Sequence, residues 1–96
     1  MIKNVLSTDL ANKVAVVTGA GGVLCSHLAK VLARAGAKVA LLDRNEDTAQ
    51  GYADEINAEG GIAKAYFCDV LNKDICYEVA DQVMADLGPC DILVNG

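Results

Sequence analysis

The sequence predicts an α/β domain built on a doubly wound, parallel sheet. Apolar runs of strand length alternate with longer segments whose apolar residues recur at helical spacing. Turn residues separate them, and the turn after the first strand is dominated by glycine. The strand runs are apolar almost throughout instead of alternating, as in a parallel sheet covered on both faces. Strand and helix in strict alternation imply right-handed crossovers.

The elements follow in order. Residues 1–12 form an irregular lead-in, and residues 13–96 carry a βαβαβαβ pattern within one domain, 1–96. The first strand is Lys13–Thr18, ended by Gly19. Val23–Ala35 reads as a helix, with Leu24, Leu28, Val31, Leu32 and Ala35 on one face and Gly36 as the stop. Lys38–Leu42 is the second strand. Asn45 caps the next helix, whose first turn holds Glu46 and Asp47, where acids complement the helix dipole. That helix runs to about Glu59 and stops at Gly60-Gly61. Ala63–Cys68 is the third strand. Asn72 caps a third helix striped by Ile75, Val79, Val83 and Leu87 and closed by Gly88-Pro89. Asp91–Asn95 opens a fourth strand. The doubly wound order for four such strands is 3-2-1-4, with a ligand crevice outside the carboxyl ends of strands one and four.

Composition narrows the partners. The 96 residues are 53% apolar with few aromatics, which supplies an aliphatic core. The formal charge is −5, and the eight basic residues are scattered, so no nucleic-acid footprint is expected. No apolar run has membrane-spanning length, and residues 1–10 do not read as a signal peptide, so a cytoplasmic protein with no membrane partner is expected. Cys25, Cys68, Cys76 and Cys90 make no C-x-x-C pair and one histidine is present, so reduced thiols are expected and no metal site.

The chemistry concentrates at the strand ends. Thr18, Gly19, Gly21, Gly22, Val23 and Leu24 form a strand-to-helix turn whose backbone N–H groups can approach a pyrophosphate at a helix N-terminus. Any such turn also favours glycine for positive φ. Asp43 closes the second strand. A carboxylate there accepts from two ribose hydroxyls and repels a 2′-phosphate, which favours NAD over NADP. A capping aspartate is the plainer reading, and Arg44 beside it is a group that could pair with a 2′-phosphate. Asp69-Val70 follows the third strand, where an acid can accept from an adenine amine, or simply make a turn. Asn95-Gly96 ends the fourth strand, where Asn can bridge loops and Gly permits close approach; an ordinary Asn-Gly turn is the alternative. Cys25 lies at a helix N-terminus, which can activate a thiol that a bound cofactor would shield. His27 falls on a different face, which argues against a Cys–His pair.

Val16-Val17-Thr18-Gly19, Asp43, Cys68-Asp69-Val70 and Asp91-Ile92-Leu93-Val94-Asn95-Gly96 together resemble the short-chain dehydrogenases/reductases, over nearly the whole chain from Leu10 onward. The resemblance implies a Rossmann-type fold and a nicotinamide cofactor. It places Gly19 and the turn at the pyrophosphate, Asp43 at the adenosine ribose, Asp69 and Val70 at adenine, and Asn95 in support of the cofactor loop. The family's Thr-Gly-x-x-x-Gly-x-Gly turn is altered, with Val23 and Cys25 at its second and third glycines. The Gly-Gly-Val-Leu-Cys form with Asn-Gly resembles a subgroup of sugar-acid dehydrogenases, the D-mannonate oxidoreductases or fructuronate reductases.

The family's Ser, Tyr and Lys lie beyond the fourth strand, and no Tyr-x-x-x-Lys occurs here. The resemblance therefore implies the cofactor-binding half of an NAD-dependent oxidoreductase acting on a CH–OH group of a small-molecule substrate, homo-oligomeric at full length. The 96 residues alone are expected to be inactive and prone to associate through the fourth strand. A non-catalytic nucleotide-binding fragment and a methyltransferase-type domain are the alternatives, the latter disfavoured by Thr18-Gly19 with Asp69-Val70 and Asn95-Gly96.

Overall fold

A computed structural model describes residues 10–96. The expectations for residues 1–9 of the lead-in lie outside these residues. Seven elements follow: β1 (Val14–Thr18), α1 (Val23–Arg34), β2 (Lys38–Asp43), α2 (Glu46–Ala58), β3 (Ile62–Phe67), α3 (Lys73–Asp86) and β4 (Ile92–Val94). All strand pairs are parallel and the order is β3-β2-β1-β4. The chain has a Rossmann-type fold with the expected strand order.

Capping residues set the helix starts. The Asn45 side chain accepts from Thr48 N–H, and the Asn72 side chain accepts from Ile75 N–H at 3.1 Å. Each bond satisfies an N–H that the helix geometry leaves without a partner.

The sheet separates two cores. On one side, Ala15, Val17, Val39 and Leu41 meet α1 and α2 through Cys25, Ala29, Ala49, Ala53 and Ile56. On the other, Val14, Val16, Ala40, Leu42 and Tyr66 meet Val79 and Val83 of α3. Helices thus cover both faces of β1 and β2, and every residue of β1 is buried. The edge strands differ from the expectation of burial on both faces. Ile62 and Phe67 of β3 and Leu93 of β4 are exposed, because β3 and β4 are the edges of the sheet and, among the described residues, no strand lies on their outer sides.

The inward face of α1 also differs. Leu24, Leu28 and Val31 of the expected stripe are 71%, 38% and 51% exposed, while Cys25 and Ala29 are buried and Leu32 and Ala33 pack on the core. The buried stripe is the expected one advanced by one residue. The physical reason is side-chain size. Cys25 and Ala29 let the helix axis lie close to β1, which the short turn from Thr18 to Val23 requires; leucines in their place would hold it away.

Cross-chain polar contacts fix the ends. Asp91 Oδ2 accepts from Val14 N–H at 2.9 Å, and Asp91 N–H donates to the Val14 carbonyl at 2.8 Å, so this one residue seats β4 beside β1. The sequence marks Asp91 as the start of the fourth strand and as part of a motif, and carries no sign of this contact. Exposed Lys30–Glu55 and Arg34–Glu59 ion pairs join α1 to α2; pairs this exposed contribute little.

Candidate cofactor site

The parallel strands bring their carboxyl ends to one edge of the sheet. Register pairs Thr18 with Leu42 and Asp43 with Phe67, so Gly19, Asp43 and Cys68 emerge at nearly the same level. Cys68 N–H donates to the Asp43 carbonyl at 3.0 Å and continues that alignment one residue past β3.

Between β1 and β4, Thr18 is the connecting residue. Its hydroxyl lies 3.3 Å from both the Val94 carbonyl and Asn95 Oδ1, and accepts from Gly96 N–H at 3.1 Å. Gly19 takes φ +66° and passes Gly96 at ordinary van der Waals distance from where a Cβ would stand. The left-handed backbone turns the chain sharply into α1, a conformation in which a side chain is strained. A side chain on Gly96 would collide with Cys25 Sγ and with the Thr18 carbonyl. The thiol that replaces a family glycine therefore sits under a residue that has no side chain.

The N-terminus of α1 is unlike the other two. Gly22 offers no side-chain cap and the first turn of α1 holds no acid, whereas α2 and α3 have capping asparagines and acids in their first turns. The α1 dipole thus meets no negative charge from its own first turn, and its first N–H groups remain available to an anion. Val23 and Leu24, each 71% exposed, begin this turn.

Asp43 stands opposite. Its Oδ2 accepts from Gly21 N–H at 2.9 Å and its Oδ1 from Asn45 N–H at 2.7 Å. The structure thus brings Gly21 and Asp43 into contact across the mouth of the turn, a proximity that sequence spacing does not specify. Arg44 is exposed and makes no hydrogen bond or ion pair among the described residues. Asp69 Oδ1 accepts from Leu71 N–H at 3.0 Å and its carbonyl from Asn72 N–H, so Asp69 shapes a turn, with Val70 exposed beside it.

Three titratable groups near or beyond this edge depart from their ordinary values. Burial, then the neighbouring Cys76 thiol, pushes the Cys68 thiol up to about 11. Farther along β3, burial and a hydrogen bond to Asp86 raise the Tyr66 phenol well above its ordinary value. Hydrogen bonds from Lys64 and Tyr66 lower Asp86. Cys25 is buried at 8% exposure and so departs from the accessible, reactive thiol its helix position suggested; His27 is exposed on another face.

These strand ends can hold an extended ligand with a diphosphate at α1 and a diol at Asp43. Comparison with known proteins agrees with that geometry. The short chain dehydrogenase family matches residues 13–96. The chain belongs to the short-chain dehydrogenase family. An uncharacterized oxidoreductase of Haemophilus influenzae is 53% identical over 88 residues, covering 92% of this chain and 31% of that protein. A Haemophilus structure with a provisional D-mannonate oxidoreductase designation and bound NAD superposes with TM-score 0.89 at 50% identity, covering 94% of this chain and 32% of the other. A metagenomic short-chain oxidoreductase in complex with NADP superposes with TM-score 0.84 at 36% identity, covering 90% and 39%. This short-chain dehydrogenase chain spans about a third of the length of the first two. Among its described residues, no helix is long and apolar enough to cross a membrane.

Proposed function

We propose that these residues form the NAD-binding part of a dehydrogenase or reductase that interconverts an alcohol and a carbonyl on a sugar acid of the mannonate or fructuronate type. The observation that carries the cofactor choice is the Asp43 carboxylate, fixed at the mouth of the glycine turn by Gly21 N–H and Asn45 N–H. A carboxylate has about four acceptor sites, so two remain for the hydroxyls of a ribose. A 2′-phosphate in the same place would bring charge of the same sign against an acid that is already held.

In this reading the N–H groups of Val23 and Leu24 meet the pyrophosphate, with Gly19 and Gly22 giving the close approach; Gly22 N–H itself donates to the Gly19 carbonyl at 3.0 Å. Asp69 and Val70 border adenine. Thr18, Asn95 and Gly96 keep the β1 and β4 loops together beneath the cofactor. Arg44 stays in solvent. The dinucleotide supplies hydride transfer when bound, and the residues here bind and orient it. Substrate contact and proton transfer fall to groups outside these 96 residues, in a cytosolic homo-oligomer.

The sugar-acid assignment is supported by the designation of the Haemophilus neighbour and by the Gly-Gly-Val-Leu-Cys turn. Calorimetric titration with NAD, NADP and S-adenosylmethionine tests the cofactor choice. NAD is expected to bind most tightly. Equal affinity for NAD and NADP would refute the role of Asp43, and preference for S-adenosylmethionine would refute the whole assignment.

A further inference from the structure

We propose that Gly21 is a positioning residue for Asp43, and through it sets the discrimination between a ribose diol and a 2′-phosphate; this rests on the cofactor reading above. The expected job of a glycine in this turn is close approach to phosphate. The contacts of Gly21 point to the acid instead. Its N–H donates to Asp43 Oδ2 at 2.9 Å, while Asn45 N–H holds the other oxygen at 2.7 Å. The carboxylate is thereby gripped at both oxygens by backbone groups from separate parts of the chain. Backbone donors carry no side-chain rotamer freedom, so the acid is set before any ligand arrives.

The missing side chain matters as much as the N–H. A Cβ on Gly21 would stand 2.9 Å from Asp43 Cγ, 3.0 Å from Oδ2 and 3.2 Å from Oδ1. The three nearest atoms all belong to that carboxylate. Gly21 is not among the residues with positive φ, so its backbone accepts an alanine without strain. What must move is the end of the Asp43 side chain. A single methyl group therefore displaces the acid and leaves the strand, turn and helix in place. A displaced carboxylate loses its alignment to a diol and relaxes its opposition to a 2′-phosphate.

The test is a double-mutant cycle on the full chain, with NAD and NADP dissociation constants measured by calorimetry for wild type, Gly21→Ala, Asp43→Ala and the double variant. Gly21→Ala is expected to weaken NAD about tenfold and leave NADP within about twofold, as misalignment of one charge-assisted hydrogen bond would do. In the Asp43→Ala background the same methyl is expected to change neither constant. A general loss of fold would lower both affinities together and leave their ratio unmoved. If Gly21→Ala weakens NAD and NADP equally, with or without Asp43, Gly21 acts on the phosphates and the proposal is overturned. It is also overturned if the ratio is unaffected. Should Gly21→Ala fail to fold, recovery of the fold in the double variant supports the clash with Asp43, and no recovery overturns it. Wild-type protein that binds neither dinucleotide is a different result: it removes the cofactor reading itself, before any variant is compared.

Discussion

The inward face of α1 can be decided by two substitutions with opposite expectations. Helical periodicity places Leu24 in the core, whereas the structure leaves it 71% exposed and buries Ala29 completely. Truncating a buried leucine costs about 2–5 kcal/mol, because the lost transfer energy adds to the cavity left behind. With most of Leu24 already in solvent, Leu24→Ala should cost less than about 1 kcal/mol. Alanine is also the better helix former, which reduces the loss further.

Ala29→Leu runs the other way. It adds an isopropyl group where α1 meets β1 and β2, in a cluster with Ala15, Val17 and Val39. Overpacking of this kind costs roughly 1–3 kcal/mol. For a chain of this size that is a fall in midpoint of roughly 4–8 °C for each kcal/mol. Urea unfolding followed by circular dichroism, with unchanged slope, gives both values. A Leu24→Ala loss larger than that of Ala29→Leu would refute the placement of α1, and with it the position of the turn that α1 begins.

Other perturbations give equally direct readings. Leu41→Ala, at the largest fully buried side chain among the described residues, should lower stability by about 2–5 kcal/mol in the same urea assay. The Cys68 thiol, ordinarily near 9, is raised to about 11, so the folded chain keeps a proton that the unfolded chain loses between those values. Stability should therefore fall as pH rises from 9 toward 11, and Cys68→Ala should flatten that part of the profile in pH-dependent melts. Thiol labelling should modify exposed Cys90 well before buried Cys25 and Cys68, read by mass spectrometry of peptides. Thr18→Val should cost about 0.5–1.5 kcal/mol through its lost hydrogen bonds and should reduce hydrogen-exchange protection of the Gly96 amide.

What the sequence made legible is what depends on local chemistry. Strand runs, helix caps at Asn45 and Asn72, and the stops at Gly36 and Gly60 all act within a few residues, and the structure places them as expected. The strand order follows from the alternation, because crossover handedness leaves few arrangements. The face of α1 was not legible in the same way. Residues 25, 29, 32 and 33 make as regular a helical stripe as the leucine set one residue earlier. Periodicity measures apolarity, and the choice turned on how closely the helix must approach β1. The edges were misjudged for a related reason, since an apolar strand reads the same with or without a neighbour. Within the site, Asp43 was legible as an acid at a strand end. Its bond to Gly21 was not, because a backbone donor leaves no mark in residue type.

That bond changes how the cofactor preference should be understood. Asp43 and Arg44 are adjacent in sequence and oppose one another in what they would attract. Residue type favours the acid and leaves Arg44 as a competing group. The structure separates them by restraint. Both Asp43 oxygens are held by backbone N–H groups, while Arg44 is exposed and unattached among the described residues. A guanidinium that must be ordered to meet a phosphate loses side-chain entropy, of the order of 2 kcal/mol for arginine, that a fixed carboxylate does not. The acid thus acts at full strength at the moment of encounter and the base does not. In the proposed reading, preference for an unphosphorylated ribose follows from which charge is pre-positioned, and the glycine turn would contribute to that choice through Gly21 as well as through its approach to phosphate.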